Sequence, residues 1–207
     1  MKIKLTILAL AVGLAVSTVR GQSIKDYFIP DSTHNKASFY TPDKTGGRTD
    51  MTRTIYYVKK GTTYDITDAK MFSGQPSAIQ TITVQFSASE VKMTKSISTT
   101  MMETNKKQDY NPPITILKMP AAGQTVNWTF KEISGDNVNC IASWTTINYN
   151  GEQRKAIKVI KTYLGLSAKT IEYYVKGIGL WKTEISGDGK TQTFDKFDSL
   201  EYDPTAK

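Results

Sequence analysis

Cysteine, histidine and arginine are scarce in this chain, and each scarcity closes a route to function. The single cysteine, Cys140, cannot form an internal disulfide, so a stapled mini-domain is excluded. The single histidine, His34, leaves no histidine-based metal cluster or histidine-containing triad except around that residue. Beyond residue 21 the only arginines are Arg48, Arg53 and Arg154, and the remaining positive charge is lysine, scattered singly or in pairs. Phosphate recognition favours the planar arginine fork, and nucleic-acid modules gather their charge on one face. No nucleic-acid partner is therefore expected. The lysines read instead as solvated faces and edges of β-sheet, where charge discourages aggregation.

Long apolar runs are missing too. The longest, Leu5 to Val16, is shorter than the ~20 residues a membrane-spanning helix needs. It follows Lys2 and Lys4 and precedes small residues at Ser17, Thr18 and Gly21, which is the layout of a secretory signal peptide. Cleavage after Gly21 is expected, with cleavage after Ser17 as the alternative. Residues 1–21 are thus the signal peptide and residues 22–207 one β domain, large enough to bury roughly 70% of its extended surface. With no cysteine near the cleavage point, N-terminal lipidation is not expected. The product should be exported, periplasmic or extracellular, with no transmembrane segment. Removing residues 1–21 takes away Lys2, Lys4 and Arg20 and no acid, lowering the formal charge from +8 to +5.

What remains is rich in period-two alternation. Ile82, Val84 and Phe86 share a face, with Thr81, Thr83 and Gln85 between them. Val91, Met93 and Ile97 alternate with Lys92, Thr94 and Ser96; Val126, Trp128 and Phe130 alternate with Asn127, Thr129 and Lys131. Asn150-Gly151 between two such runs is a strong hairpin signal. It sets Tyr149 opposite Glu152, Trp144 opposite Ile157, Ala142 opposite Val159 and Val138 opposite Tyr163. A second hairpin is expected at Ser186–Gly189, and 101–113 and 41–47 read as loops. The only helical signal is a turn at Ser23–Phe28. The fold class is all-β: a single antiparallel meander of nine to eleven strands, curved into a half-barrel or open barrel.

Catalytic groups are hard to assemble. His34 falls in a polar stretch and reads as exposed. Cys140 falls on the apolar face of its hairpin and reads as a buried thiol acting as a small hydrophobe. Asp195, Asp198 and Glu201 are three residues apart; on a strand this places Asp195 and Glu201 on one face and Asp198 on the other. Gly187-Asp188-Gly189 lacks the ordered acids of a calcium loop. No metal or cofactor site is expected, and the composition leans away from an enzyme. Aromatic residues are more suggestive. Tyr56, Trp128, Tyr174 and Trp181 fall in predicted strands and are the candidates for a ligand-facing surface.

The segment Tyr173-Tyr174-Val175-Lys176-Gly177-Ile178-Gly179-Leu180 resembles a pattern near the C-terminus of uncharacterised exported bacterial β-sheet proteins. Ile116–Pro120 before Gly123–Trp128, and Tyr27-Phe28-Ile29-Pro30, are similar to theirs as well, although their usual glycine-asparagine and tryptophan-tyrosine continuation of the last is missing. More distantly these proteins resemble the half-barrel of the periplasmic lipoprotein carriers of the LolA and LolB type. The resemblance implies a curved sheet cupping an apolar ligand, and no catalytic residues. The expected function is non-enzymatic binding of a lipophilic or glycan-like ligand on the concave face. The alternatives are a structural or interaction protein of the cell envelope and, behind it, a hydrolase using Asp195 and Asp198. Oligomeric state is left open.

Overall fold

The computed structural model describes residues 22–100 and 105–206. The expected signal peptide, residues 1–21, lies outside the described residues. One short helix, α1 (Lys25–Phe28), precedes twelve strands: β1 (Lys36–Pro42), β2 (Arg48–Lys60), β3 (Thr63–Phe72), β4 (Gln75–Phe86), β5 (Glu90–Thr100), β6 (Lys106–Lys118), β7 (Thr125–Lys131), β8 (Asn137–Tyr149), β9 (Glu152–Tyr163), β10 (Lys169–Val175), β11 (Gly179–Gly187) and β12 (Lys190–Glu201). They form one antiparallel sheet in the order β6-β5-β4-β3-β2-β1-β12-β11-β10-β9-β8-β7. The sheet curls until its end strands, β6 and β7, meet without a hydrogen-bonded ladder. The result is a nearly closed barrel with one seam, as the expectation of a curved meander required. Twelve strands exceed the nine to eleven expected, and part of the segment taken as a loop belongs to the edge strand β6: Lys106 to Asp109 pair with β5, and Pro112-Pro113 fall in the irregularity before Ile114 rejoins the ladder opposite Met93. An edge has no neighbour on one side, so proline can be tolerated there.

The Asn150-Gly151 turn sets the expected register: Val138 pairs with Tyr163, Ala142 with Val159 and Trp144 with Ile157. Val138, Cys140, Ala142, Ile157 and Val159 are all buried on the inner face. Elsewhere bulges reset the alternation. One between Met93 and Lys95 turns Ser96 inward, fully buried, where Gln80 Nε2 donates to its hydroxyl at 3.2 Å. Ile97, expected beside Met93, therefore falls on the other face. Another between Ser38 and Phe39 shifts β1 against β12.

One end of the barrel is plugged. Ile24, Tyr27 and Phe28 of the α1 region are buried inside it. Tyr27 meets Trp144 edge-on at 5.3 Å, and Phe28 lies against Tyr174 at 5.7 Å and Phe86 at 6.0 Å. Burying each of these rings contributes roughly 2–3 kcal/mol. The plug is tied to the wall by backbone: Ile24 N donates to Ala88 O and Gly177 N to Asp26 O. Gly179 has φ +82, and a Cβ there would sit 3.0 Å from Phe28 O and 3.3 Å from the Tyr57 hydroxyl. Only glycine lets the wall approach the plug this closely.

Candidate functional site

The inner face changes character along the barrel axis. Near α1 it is filled by side chains such as Val84, Met93, Leu117 and Ile157. Towards the far end, formed by the β1–β2, β3–β4, β7–β8, β9–β10 and β11–β12 turns, the inner positions become charged. Between them lies a cavity of about 500 Å3 floored by Phe28, Tyr174 and Leu180.

Two ionic clusters build its walls. Arg53 of β2 donates from Nε and Nη2 to both carboxylate oxygens of Asp68 on β3, at 2.9 and 2.7 Å. Its Nη1 reaches Asp195 of β12 at 2.6 Å. β2 is neighboured by β3 on one side and by β1 on the other, so Arg53 bridges β1 to reach β12, crossing the Phe39 ring with its guanidinium 5.7 Å from the centroid. In the second cluster Lys161 Nζ of β9 donates to Glu172 Oε1 of β10 at 2.8 Å, while the Tyr174 hydroxyl donates to Oε2 at 2.6 Å. Burial pushes the Glu172 carboxyl up, but the Lys161 ammonium and these hydrogen bonds outweigh it and hold the group below its ordinary value. Burial likewise opposes the charge on Lys161, and Glu172 more than restores it. Burial raises Tyr174 well above the usual phenol range.

Glu132, at the end of β7, completes the ring of acids. It accepts from the Tyr163 hydroxyl at 3.4 Å, and burial pushes its carboxyl up. On the strands flanking the seam, the Tyr110 hydroxyl and Trp128 Nε1 are buried with no hydrogen-bond partner. Such a group costs roughly 1–3 kcal/mol relative to one that is satisfied.

Of the four aromatic residues singled out by sequence, Tyr174 lines the cavity. Trp128 lies on the inner face of β7, paired with Cys140, and packs into the hydrophobic core. Tyr56 falls between the inward Ile55 and Tyr57, so it faces outward. Trp181 sits at a bulge opposite Tyr173 and joins a separate cluster with Ile147, Ala156, Val175 and Ile178. Ala156 and Val175 alternate with the inward Ile157 and Tyr174, so this cluster belongs to the outer face.

The carboxylates suggested for hydrolysis do not converge. Asp195 is inside and held by Arg53, whereas Asp198 takes a two-pronged contact from Arg48 and Glu201 pairs with Lys36 at exposed positions. The bulge between β1 and β12 is the reason Asp195 and Glu201, expected on one face, part company. Cys140 is buried and its thiol is pushed up to about 12 by burial. His34 Nδ1 lies 2.7 Å from Asp31 Oδ1 beside a cleft outside the plug. Among the described residues no group of three histidine, cysteine or acidic side chains is placed so that it could hold a metal ion, and no helix is long and apolar enough to cross a membrane.

The residues that sequence reasoning missed are Arg53, Asp68, Lys161, Glu172 and Glu132. Arg53 and Lys161 sit at inward positions of otherwise apolar alternation, Arg53-Ile55-Tyr57 and Ile157-Val159-Lys161, and that interruption was the available signal.

No protein-family model and no curated protein matches the chain. Among solved structures, a candidate lipoprotein from Parabacteroides distasonis is similar at 11% identity with a TM-score of 0.47, over 84% of this chain and 98% of that one.

Proposed function

We propose that this is an exported, non-enzymatic binding protein that holds a small glycan-like ligand in the open half of its barrel. The observation that carries this is the cavity of about 500 Å3, with charged walls and a floor of Phe28 and Tyr174. That volume suits a mono- or disaccharide-sized ligand. Sugar hydroxyls can donate to the carboxylates of Asp68, Asp195 and Glu172 and accept from Arg53 and Lys161, while an aromatic floor takes the apolar face of the ring. A wholly lipophilic ligand is the poorer fit, because seating it would strip water from these charges without replacing their hydrogen bonds. Tyr174 is the member of the aromatic set that this reading places against the ligand.

Native mass spectrometry of protein purified from its own envelope, followed by solvent extraction, tests this. A reproducible polar adduct of a few hundred daltons is the expected result. An extracted acyl or polyprenyl lipid would replace the glycan-like ligand with a lipophilic one. A bare mass, with no binding on a glycan array, would remove the carrier reading.

One observation favours the envelope-contact alternative. Phe72, Leu164 and Leu166, in or beside turns at the open end, are 58%, 73% and 62% exposed. Cross-linking at Leu164 would capture a defined partner if the mouth docks there, and background proteins only if it does not.

A further inference from the structure

The chain as a whole is basic, with a formal charge of +8, but the cavity is not. Its walls carry three cations, Arg53, Lys70 and Lys161, and four carboxylates, Asp68, Glu132, Glu172 and Asp195. The pairing among them is uneven. Arg53 serves both Asp68 and Asp195, so one positive charge answers two negative ones. Lys161 and Glu172 satisfy each other, and Lys70 lies over the Phe194 ring with Nζ 5.8 Å from its centroid.

Glu132 is the carboxylate left over. Among the described residues no ion pair includes it, and its hydrogen-bond partner in the cavity is the Tyr163 hydroxyl at 3.4 Å. It stands where β7 enters the β7–β8 turn, whose backbone closes from Glu132 N to Asp136 O, at the open end of the barrel. The buried Tyr110 hydroxyl, which lacks a partner, is near enough to Glu132 for that charge to act on it. Lys161 acts on Glu132 through space but spends its short contact on Glu172. A desolvated carboxylate without a cation of its own gains most from a ligand that brings one, since charge-assisted hydrogen bonds are about twice as strong as neutral ones. A neutral hydroxyl would leave the excess negative charge where it is, and an acidic sugar would add to it.

We infer that the ligand carries a protonated amine, seated against Glu132 and Tyr163 at the mouth of the cavity, and so belongs to the amino sugars or similarly sized cationic polyols. This rests on the binding role proposed above and narrows its ligand class.

The test is isothermal titration of the purified chain with a panel of mono- and disaccharides. Each is offered in three forms: free amine, N-acetyl and neutral hydroxyl. The expected result is at least tenfold tighter binding of the amine forms. In Glu132→Gln, with an unchanged melting temperature, that preference should fall to less than threefold. Tyr163→Phe removes a hydrogen bond but no charge, so it should weaken all forms and keep the preference for the amine. Equal binding of the three forms, or an amine preference that survives in Glu132→Gln, would overturn the inference while leaving a binding lumen in place. Binding of none of the panel would remove both.

Discussion

Replacing Lys161 by methionine is the most direct probe of the charged lumen. Lys161 and Glu172 have side chains only 16% and 11% exposed, with Nζ and Oε1 2.8 Å apart. Methionine keeps most of the side-chain length, so the main change is a buried carboxylate stripped of its cation. Breaking a buried pair from one side typically costs about 3–5 kcal/mol. For a domain of this size each kcal/mol shifts the midpoint by roughly 2–4 °C, so a fall of about 6–20 °C is expected at pH 7. The pH dependence follows from the direction of the Glu172 shift. In the native protein the carboxyl is held below its ordinary value. Its pairing therefore contributes stability above the unfolded value, near ~4.3, and loses that contribution as pH falls through the folded value. In Lys161→Met the ammonium is gone, burial dominates and the folded carboxyl moves above the unfolded value. The penalty in the variant is then relieved as pH falls through that raised value. The two proteins should converge in stability towards pH 4. Adding Glu172→Gln to Lys161→Met should recover most of the loss at pH 7, because a neutral amide can still take the Tyr174 hydrogen bond. Urea denaturation at pH 7 and pH 4 provides the readout. A loss below about 1 kcal/mol at pH 7, or a deficit that grows on acidification, would refute the reasoning.

Three further outcomes are expected. Gly179→Ala should cost about 2–3 kcal/mol in urea denaturation, combining a left-handed backbone with a contact to Phe28 O, while Gly189→Ala, at φ +73 with open space, should cost only about 1 kcal/mol; equal losses would remove the argument for a tight plug. The Cys140 thiol should resist a soluble disulfide reagent in native protein and react fully in denaturant, and rapid native labelling would contradict its burial. Trp128→Phe removes a buried donor that has no partner, so its stability should stay within about 1 kcal/mol of the parent; a loss above 2 kcal/mol in thermal unfolding would mean the indole N–H is satisfied.

The sequence was most informative where turn chemistry and alternation agreed. Asn150-Gly151 fixes the loop length, and the loop length fixes every pair from Tyr149–Glu152 to Val138–Tyr163. It was least informative at bulges, where a single extra residue reverses inside and outside. That is how Ser96 came inward, and how Glu201 parted from Asp195. Pro112-Pro113 read as a loop because proline opposes a central strand; nothing local revealed that this strand would be an edge at the seam. The candidate site was hidden for a different reason. Asp68 reaches Arg53 across the β2–β3 hairpin, but Asp195 is 142 residues away, and only the pairing of β1 with both β2 and β12 brings it to the same cluster. Aromatic residues drew attention because they are unusual in composition, yet two of the four, Tyr56 and Trp181, face outward.

The strand order has a consequence for how the chain reaches this state. Among the described residues ten of eleven ladders join strands that follow one another in sequence, but β1 pairs with β12, linking Lys36 to Glu201 across 165 residues. Closing a loop of that length costs about 3 kcal/mol more in chain entropy than closing a hairpin of a few residues. During synthesis the first six strands are complete long before β12 is made. Until then β1 is an unpaired edge carrying Ala37 and Phe39, which are later buried. The early half must therefore wait with a sticky border, and the last strand to be synthesised is the one that covers it.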